Sequence, residues 1–263
     1  MFKLTSLNLN GIRSATTKGV EAWLAQEKPD CIGVQEVKAQ APDVAGKFEA
    51  LAGLKGYFHF AQKKGYSGVG VYTRHEPSDV VVGFDCGEFD AEGRYVELRF
   101  DTPTRKMSII SSYFPSGSSG PERQEAKFGF LSVMYPHLMA LKGEREFIVC
   151  SDVNIAHQQA DLKNWRSNQK NSGFLPEERQ WMTQLTTEGG VVDVYRRLRP
   201  ETTDDCYTWW SNRGQAYAKN VGWRLDYHLA TPAMAALARS ESIYKGEKFS
   251  DHAPITIGYD FTL

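Results

Sequence analysis

An acid and a histidine, Asp251 and His252, stand side by side in the segment "KFSDHAPITIGYD", just ahead of an alternating apolar run. Other polar groups also fall at, or just past, the end of an apolar run. They are Asn8 and Asn10 in "SLNLN", Glu36 in "CIGVQE", Tyr113 in "SIISSY", and Asp152 and Asn154 in "FIVCSDVN". A single acid after a strand is most often a turn or cap residue. Several of them gather into a site if their strands share a sheet edge, because a rigid sheet positions the loops at its ends. The ligand types are oxygen-rich: Asn8, Glu36, Asp152, Asn154 and Asp251. Carboxylates and amides without thiols suit Mg²⁺ or Mn²⁺ rather than zinc. Mg²⁺ held by few protein groups typically works on phosphates.

In "NVGWRLDYHLAT", Arg224 and Asp226 share one face of a strand and Leu225 takes the other. Spacing alone makes Arg224 and Asp226 a surface ion pair. The functional alternative is that Asp226 accepts a ring N–H from His252, fixing its tautomer as the acid of a triad does. Aromatics cluster nearby, with Tyr207, Trp209, Trp210, Tyr217 and Trp223 among basic and polar neighbours. Trp210 reads as a strand residue. The mixture as a whole suits phosphate tracking and packing against bases or sugars. Lys163, Arg166 and Lys170 around Trp165 form a second stretch of the same kind.

The elements that position these groups are short. "FKLTSLNL", "CIGVQ", "SGVGVYT", "DVVVGF", "RYVELRF", "MSIISSYF", "EFIVCS", "WRLDYHLAT" and "APITIGYD" are predicted strands. Helices are predicted in "KGVEAWLAQEKPD", with Thr16 or Thr17 as N-cap, and from Pro42 to Gly53. A long one in "PERQEAKFGFLSVMYPHLMALKG" is expected to kink at Pro136, and another lies in "PEERQWMTQLTTEGG". Two packed sheets with helices outside follow from this pattern. No linker, repeat or charge block divides the 263 residues, so one domain spanning 1–263 is expected.

The bulk numbers set limits. A hydrophobic fraction of 41% supplies a large core. A net charge of -1 argues mildly against a protein that simply coats phosphates, but acids gathered in a site can offset basic residues elsewhere. The cysteines, Cys31, Cys86, Cys150 and Cys206, lack metal-clip or redox spacing and read as free thiols in a reducing cytoplasm. No window is long enough to span a bilayer.

With the segments "LNLNGIRS", "IGVQEVK", "SSYFPSG", "SDVNIAH", "NQKNSGFLPEER", "VGWRLDYHL" and "FSDHAPI" side by side, the chain resembles the exonuclease III type of apurinic/apyrimidinic endonuclease. That type belongs to the exonuclease–endonuclease–phosphatase superfamily, and the motifs run in its order from residue 7 to residue 255. The resemblance implies an α/β fold, a four-layer sandwich of two β-sheets flanked by helices. It implies a Mg²⁺-dependent DNA-repair nuclease, with Mn²⁺ a possible substitute, acting as a monomer on double-stranded DNA at abasic sites or 3′ ends. Asn8, Glu36 and Asp251 match positions around the metal, and Asn10 a position that is Asn or Asp in relatives. Asp152 matches the group that orients or deprotonates the attacking water. Asn154 lies beside it, and both also count among the metal's surroundings. Tyr113 and His252 match contacts to the scissile phosphate, and Asp226 the partner of that histidine. Asn171 matches a phosphate-contacting amide. Trp209, Trp223 and Leu225 match the wall of the pocket for a flipped abasic sugar. Arg13 and Lys38, in the first two motifs, are assigned to DNA.

Departures lie in the loops. Asn164-Trp165 stands where relatives often have Asn-Pro, Ser167 falls where they vary, and Ser116 stands where some carry Asn. The alternative is a non-catalytic regulator on the same scaffold, like the catabolite repression control protein. That branch has lost several acids and amides that this chain keeps.

Overall fold

The computed structural model describes residues 1–263. In chain order its strands are β1 (Phe2–Asn8), β2 (Cys31–Gln35), β3 (Ala50–Leu51), β4 (Leu54–His59), β5 (Val69–Thr73), β6 (Asp79–Val82), β7 (Tyr95–Arg99) and β8 (Met107–Tyr113). They continue with β9 (Glu146–Asp152), β10 (Val192–Asp193), β11 (Trp209–Trp210), β12 (Gly222–Trp223), β13 (Asp226–Ala230), β14 (Ala238–Ile243) and β15 (Ile255–Tyr259). One mixed sheet runs β14-β15-β1-β2-β5-β4-β3 and the other β10-β13-β9-β8-β7-β6; β11 and β12 form a separate hairpin.

Strand alternation sorts the side chains into three apolar layers. Leu4, Cys31 and Val71 of the first sheet meet Ile109, Ile148 and Cys150 of the second in the central layer. Leu7, Ile32 and Val34 face the other way, onto Trp23, Leu24 and Ile12 of the N-terminal helices. Ile110, Phe147 and Val149 pack under the helices Pro121–Glu144 and Pro176–Thr186 through Phe130, Met134, Trp181 and Leu185. Helix, sheet, sheet and helix therefore stack as four layers.

The sheets approach closely. A Cβ added at Gly33 would lie 2.5 Å from the Cys150 Cβ, so only glycine fits there. Polar links cross the same gap. Gln35 Nε2 donates to Ser111 Oγ at 3.1 Å, Ser111 Oγ to the Val34 carbonyl at 2.8 Å, and His228 Nδ1 pairs with Tyr259 Oη at 3.0 Å. These bonds fix one sheet against the other below the strand ends.

Some expectations need correction. The helix expected from Pro42 to Gly53 is only Ala41–Val44; β3 and the turn into β4 take the rest. Its apolar residues pair across a hairpin, with Leu51 opposite Leu54. The helix Val20–Glu27 starts at Gly19, and Thr16 and Thr17 end a separate short helix, Ile12–Thr17. Arg224 is not a surface partner of Asp226. It lies just before β13, fully buried, with Nε 2.8 Å from Asp161 Oδ1 and Nη2 2.7 Å from Asp193 Oδ2. Arg196 also grips Asp161. No helix is long and apolar enough to cross a membrane.

This buried cluster makes a stability prediction. Burial alone would raise Asp161, but the Arg224 and Arg196 guanidiniums hold it down from 3.8 to about 2. A depressed carboxylate contributes its stability above its unfolded value and loses it as pH falls through the folded value. Urea melts of the wild type should weaken from about pH 4 towards pH 2. Asp161→Asn, which leaves Arg224 short of a counter-charge, should cost about 3 kcal/mol at neutral pH. A neutral-pH midpoint equal to wild type would show that Asp193 alone suffices.

Candidate active site

Asn8, Tyr113, Asp152 and Asp226 share one strand parity: each continues the column of side chains that fills the central layer. Tyr113 pairs in register with Asp152 across parallel β8 and β9, and Asp226 with Asp152 across antiparallel β13 and β9. Asn8 ends β1 and pairs with Gln35, one residue before Glu36. The inner columns of both sheets thus finish in polar groups at one end of the sandwich.

Asn8 joins the sheets. Its Nδ2 donates to Glu36 Oε1 at 2.9 Å and to Asp152 Oδ2 at 2.8 Å, while its Oδ1 accepts from the Asn10 N–H at 2.9 Å. The Nδ2 group of Asn8 thus aims both carboxylates from between the sheets. Asn10 Nδ2 donates to Asp251 Oδ1 at 2.9 Å. Lys38 Nζ sits 2.7 Å from Glu36 Oε2 and 2.5 Å from Asn10 Oδ1. The Lys38 ammonium thus sits inside the acid cluster.

His252 is buried and its Nδ1 meets Asp226 Oδ2 at 2.8 Å, while its Nε2 lies 3.7 Å from Asp152 Oδ2. Burial alone would lower His252, but Asp226 and Asp152 raise it far above an ordinary imidazole. Burial pushes Asp152 above the usual carboxylate range against the pull of His252, and Asp226 and Glu36 push the same way. Asp251 goes the other way: burial would raise it, but His252, the Trp209 N–H and the Asn10 amide hold it low. Burial, with Glu36 and Asp152 beside it, raises Tyr113 well above an ordinary phenol.

Backbone conformation adds to the positioning. Asn10, Glu36, Lys38 and Asn154 adopt φ of 45°, 48°, 51° and 55°, in the left-handed region that side chains disfavour. Asp152 Oδ1 accepts from the Asn154 N–H at 3.0 Å, and Asn154 Nδ2 donates to the Phe114 carbonyl. The Asp251-His252 segment is pinned by the aromatic hairpin, with Trp209 bridged to His252 and Trp210 N–H donating to the Asp251 carbonyl.

Glu36, Tyr113, Asp152, Asn154, Asp251 and His252 line one cavity of about 230 Å³ with Trp209, Trp223 and Leu225. Three expected DNA contacts, Lys38 among them, lie outside its lining. Asn171 is exposed and bonded to Asn168 Oδ1 at 2.8 Å. Arg13 is exposed and paired with Asp43 at 3.2 Å. Other residues complete the site. Ser118, Ser172 and Gly173 also line the cavity. The fully buried pair Lys127–Glu178 holds the Asn154 carbonyl through Lys127 and the Gly173 and Leu175 N–H groups through Glu178. Glu178 was visible only as one of the acids at a helix start.

The donor set fits a hard cation. Glu36 and Asp152 bring carboxylate oxygens within 4.8 Å of one another, and Asp251 lines the same cavity. The Lys38 ammonium on Glu36 and Asn10 shows that the cluster already attracts positive charge. Residues 5–252 match the Endonuclease/Exonuclease/phosphatase family.

The chain belongs to that family.

Among curated relatives, the exodeoxyribonuclease of Bacillus subtilis is 34% identical over 97% of this chain and 98% of its own length. The DNA repair nuclease APEX1 of Danio rerio is 34% identical over 97% of this chain and 81% of its own. An AP endonuclease structure from Archaeoglobus fulgidus superposes with a TM-score of 0.86 at 28% identity, covering 99% of this chain and all of that one. The α/β sandwich is thus that of a family member, and its polar end is where the inner strands finish.

Asn8 offers a test. Asn8→Leu leaves Glu36 and Asp152 without their shared donor, so metal-free protein should lose about 1–3 kcal/mol of stability. Added Mg²⁺ should restore part of the melting temperature by binding the folded state. A variant that melts like wild type would remove the bridging role.

Proposed function

We propose that this family member is a DNA-repair nuclease. It hydrolyses phosphodiester bonds on the 5′ side of abasic sites and at 3′ ends of double-stranded DNA. The chain acts as one catalytic domain and as a monomer, in a reducing cytoplasm compatible with its four free cysteines. The observation that carries this reading is the shared cavity: carboxylates, an imidazole, two indoles and Leu225 line the same space. Phosphodiester hydrolysis needs an oriented water, positive charge at the non-bridging oxygens and help for the leaving 3′-oxygen. Extruding an abasic sugar costs little stacking, since its base is already gone.

The roles follow from contacts. Asp152 is the acceptor for the attacking water; burial lifts its basicity, and Asn8 and the Asn154 N–H fix its direction. Asp226 holds the Nδ1 proton of His252, which leaves Nε2–H to donate to a phosphate oxygen. Tyr113, buried at the end of β8, presents its phenol to the same group. Trp209, Trp223 and Leu225 enclose the sugar. Glu36, Asn10 and Asp251 are the residues that would hold Mg²⁺ or Mn²⁺. When bound, that ion supplies neutralising charge to the phosphate. The exposed Arg13 and Asn171 meet the DNA backbone outside the cavity. The non-catalytic regulator is not favoured, because the acids that such a branch lacks meet here in one cavity.

A duplex with a central abasic site should be cut 5′ to that site with Mg²⁺ and spared with EDTA. Asp152→Asn and His252→Asn should each lose about 10³-fold in kcat while melting normally. Full activity in either would sink the mechanism. The indoles should separate. Trp223→Ala should weaken abasic-site cutting at an unchanged Mg²⁺ requirement. Trp209→Ala should also raise the Mg²⁺ needed, because Trp209 Nε1 donates to Asp251 Oδ2 at 3.1 Å. Identical metal titrations for the two variants would count against that division.

A further inference from the structure

The phenol of Tyr113 has Glu36 and Asp152 beside it. A different kind of contact surrounds its ring. Arg94 precedes β7 and is only 1% exposed. Its Nη1 donates to the Tyr113 carbonyl at 2.9 Å, and the Tyr113 N–H donates to the Arg94 carbonyl at 3.0 Å. The guanidinium carbon lies 5.0 Å from the centre of the Tyr113 ring. A planar cation that grips both the backbone and the ring of one residue constrains it more than either contact alone.

The outer edge of that guanidinium is engaged as well. Its Nε donates to Glu92 Oε2 at 2.5 Å and its Nη2 to Tyr66 Oη at 2.9 Å. Tyr66 Oη also accepts from Arg123 Nη2 at 2.8 Å and donates to Glu92 Oε1 at 3.2 Å. Arg123 Nη1 closes the ring of contacts on Glu92 Oε1 at 3.1 Å. Each of the three guanidinium nitrogens of Arg94 thus has a partner, and together these hold it as a platform under Tyr113. The same loop reaches the other half of the site. The Ser67 carbonyl accepts from the Lys38 N–H at 2.9 Å and the Gly68 carbonyl from the Val37 N–H at 3.0 Å. Tyr66 therefore connects the phenol's platform to the backbone that follows Glu36.

We propose that Arg94 is a positioning residue for Tyr113, setting the plane of its ring and so the direction in which the phenol meets the phosphate. This rests on the nuclease reading above. A buried arginine could equally serve the scaffold alone, and the two roles differ in one measurable way. If Arg94 acts through the Tyr113 hydroxyl, its effect disappears when that hydroxyl is removed.

The test is a double-mutant cycle on an abasic duplex at saturating Mg²⁺, well below the melting temperature of every variant. Arg94→Lys keeps the charge and loses the fork. It should lower kcat by about 10- to 100-fold, with KM little changed, because misplacement of a reacting group by a fraction of an ångström to an ångström has effects of that size. In a Tyr113→Phe background, the same substitution should change kcat by less than about twofold. Tyr66→Phe removes one acceptor from the platform, should act in the same direction with a smaller loss, and carries the same cycle should Arg94→Lys fail to fold. Losses that multiply in the double variants would overturn the proposal and leave the nuclease reading standing. A wild-type chain that leaves the abasic duplex intact would overturn both.

Discussion

Carboxylates drawn from two separate sheets are held together at the end of a shared apolar core, and their mutual repulsion must be offset. Asn8 offsets part of it from inside, by donating to Glu36 and Asp152 at once. His252 offsets more, with Asp226 on one ring nitrogen and Asp152 facing the other. Lys38 places its ammonium on Glu36 and Asn10. Take away these three compensations and the site is a cluster of like charges in a water-poor setting with nothing to offset their repulsion. The compensation keeps the charges available for a phosphate and a divalent ion.

The geometry that brings the acids together is simple parity. Residues that fill the central layer at positions such as Leu4, Ile109 and Cys150 are followed, along the same faces of their strands, by Asn8, Tyr113 and Asp152. The apolar part of each column welds the sheets, and the polar part becomes the site. Gln35 and Ser111 lie between the two regimes and fix the offset of one sheet on the other with hydrogen bonds. A one-residue slip in any of these strands would turn its terminal polar group onto a helix layer.

This is why so much was legible in the sequence. A strand advertises itself by alternation, and a polar residue that ends an alternating run is visible without coordinates; Glu36, Tyr113 and Asp152 stand out that way, whereas Asp226 opens its strand and by spacing alone pairs with Arg224. What stayed hidden had no local period. β3 has two residues, and its strand partner lies across a tight turn, so its apolar side chains passed for a helix face. Arg224 found its acids 63 and 31 residues away, so spacing to Asp226 was no guide. Lys38 lies beside Glu36 on a left-handed turn, and a motif alone does not say which way such a side chain points. Arg94 lies 19 residues from Tyr113 and Lys127 lies 51 from Glu178, separations at which no local pattern survives.

The wedge of Cys150 against Gly33 has a practical corollary. At that point the layers leave no room for one extra carbon, so an alkylating reagent reaches the Cys150 sulfur only after the sandwich has come apart. Its labelling rate is a built-in clock for global opening, while loops around the mouth are free to move without being counted.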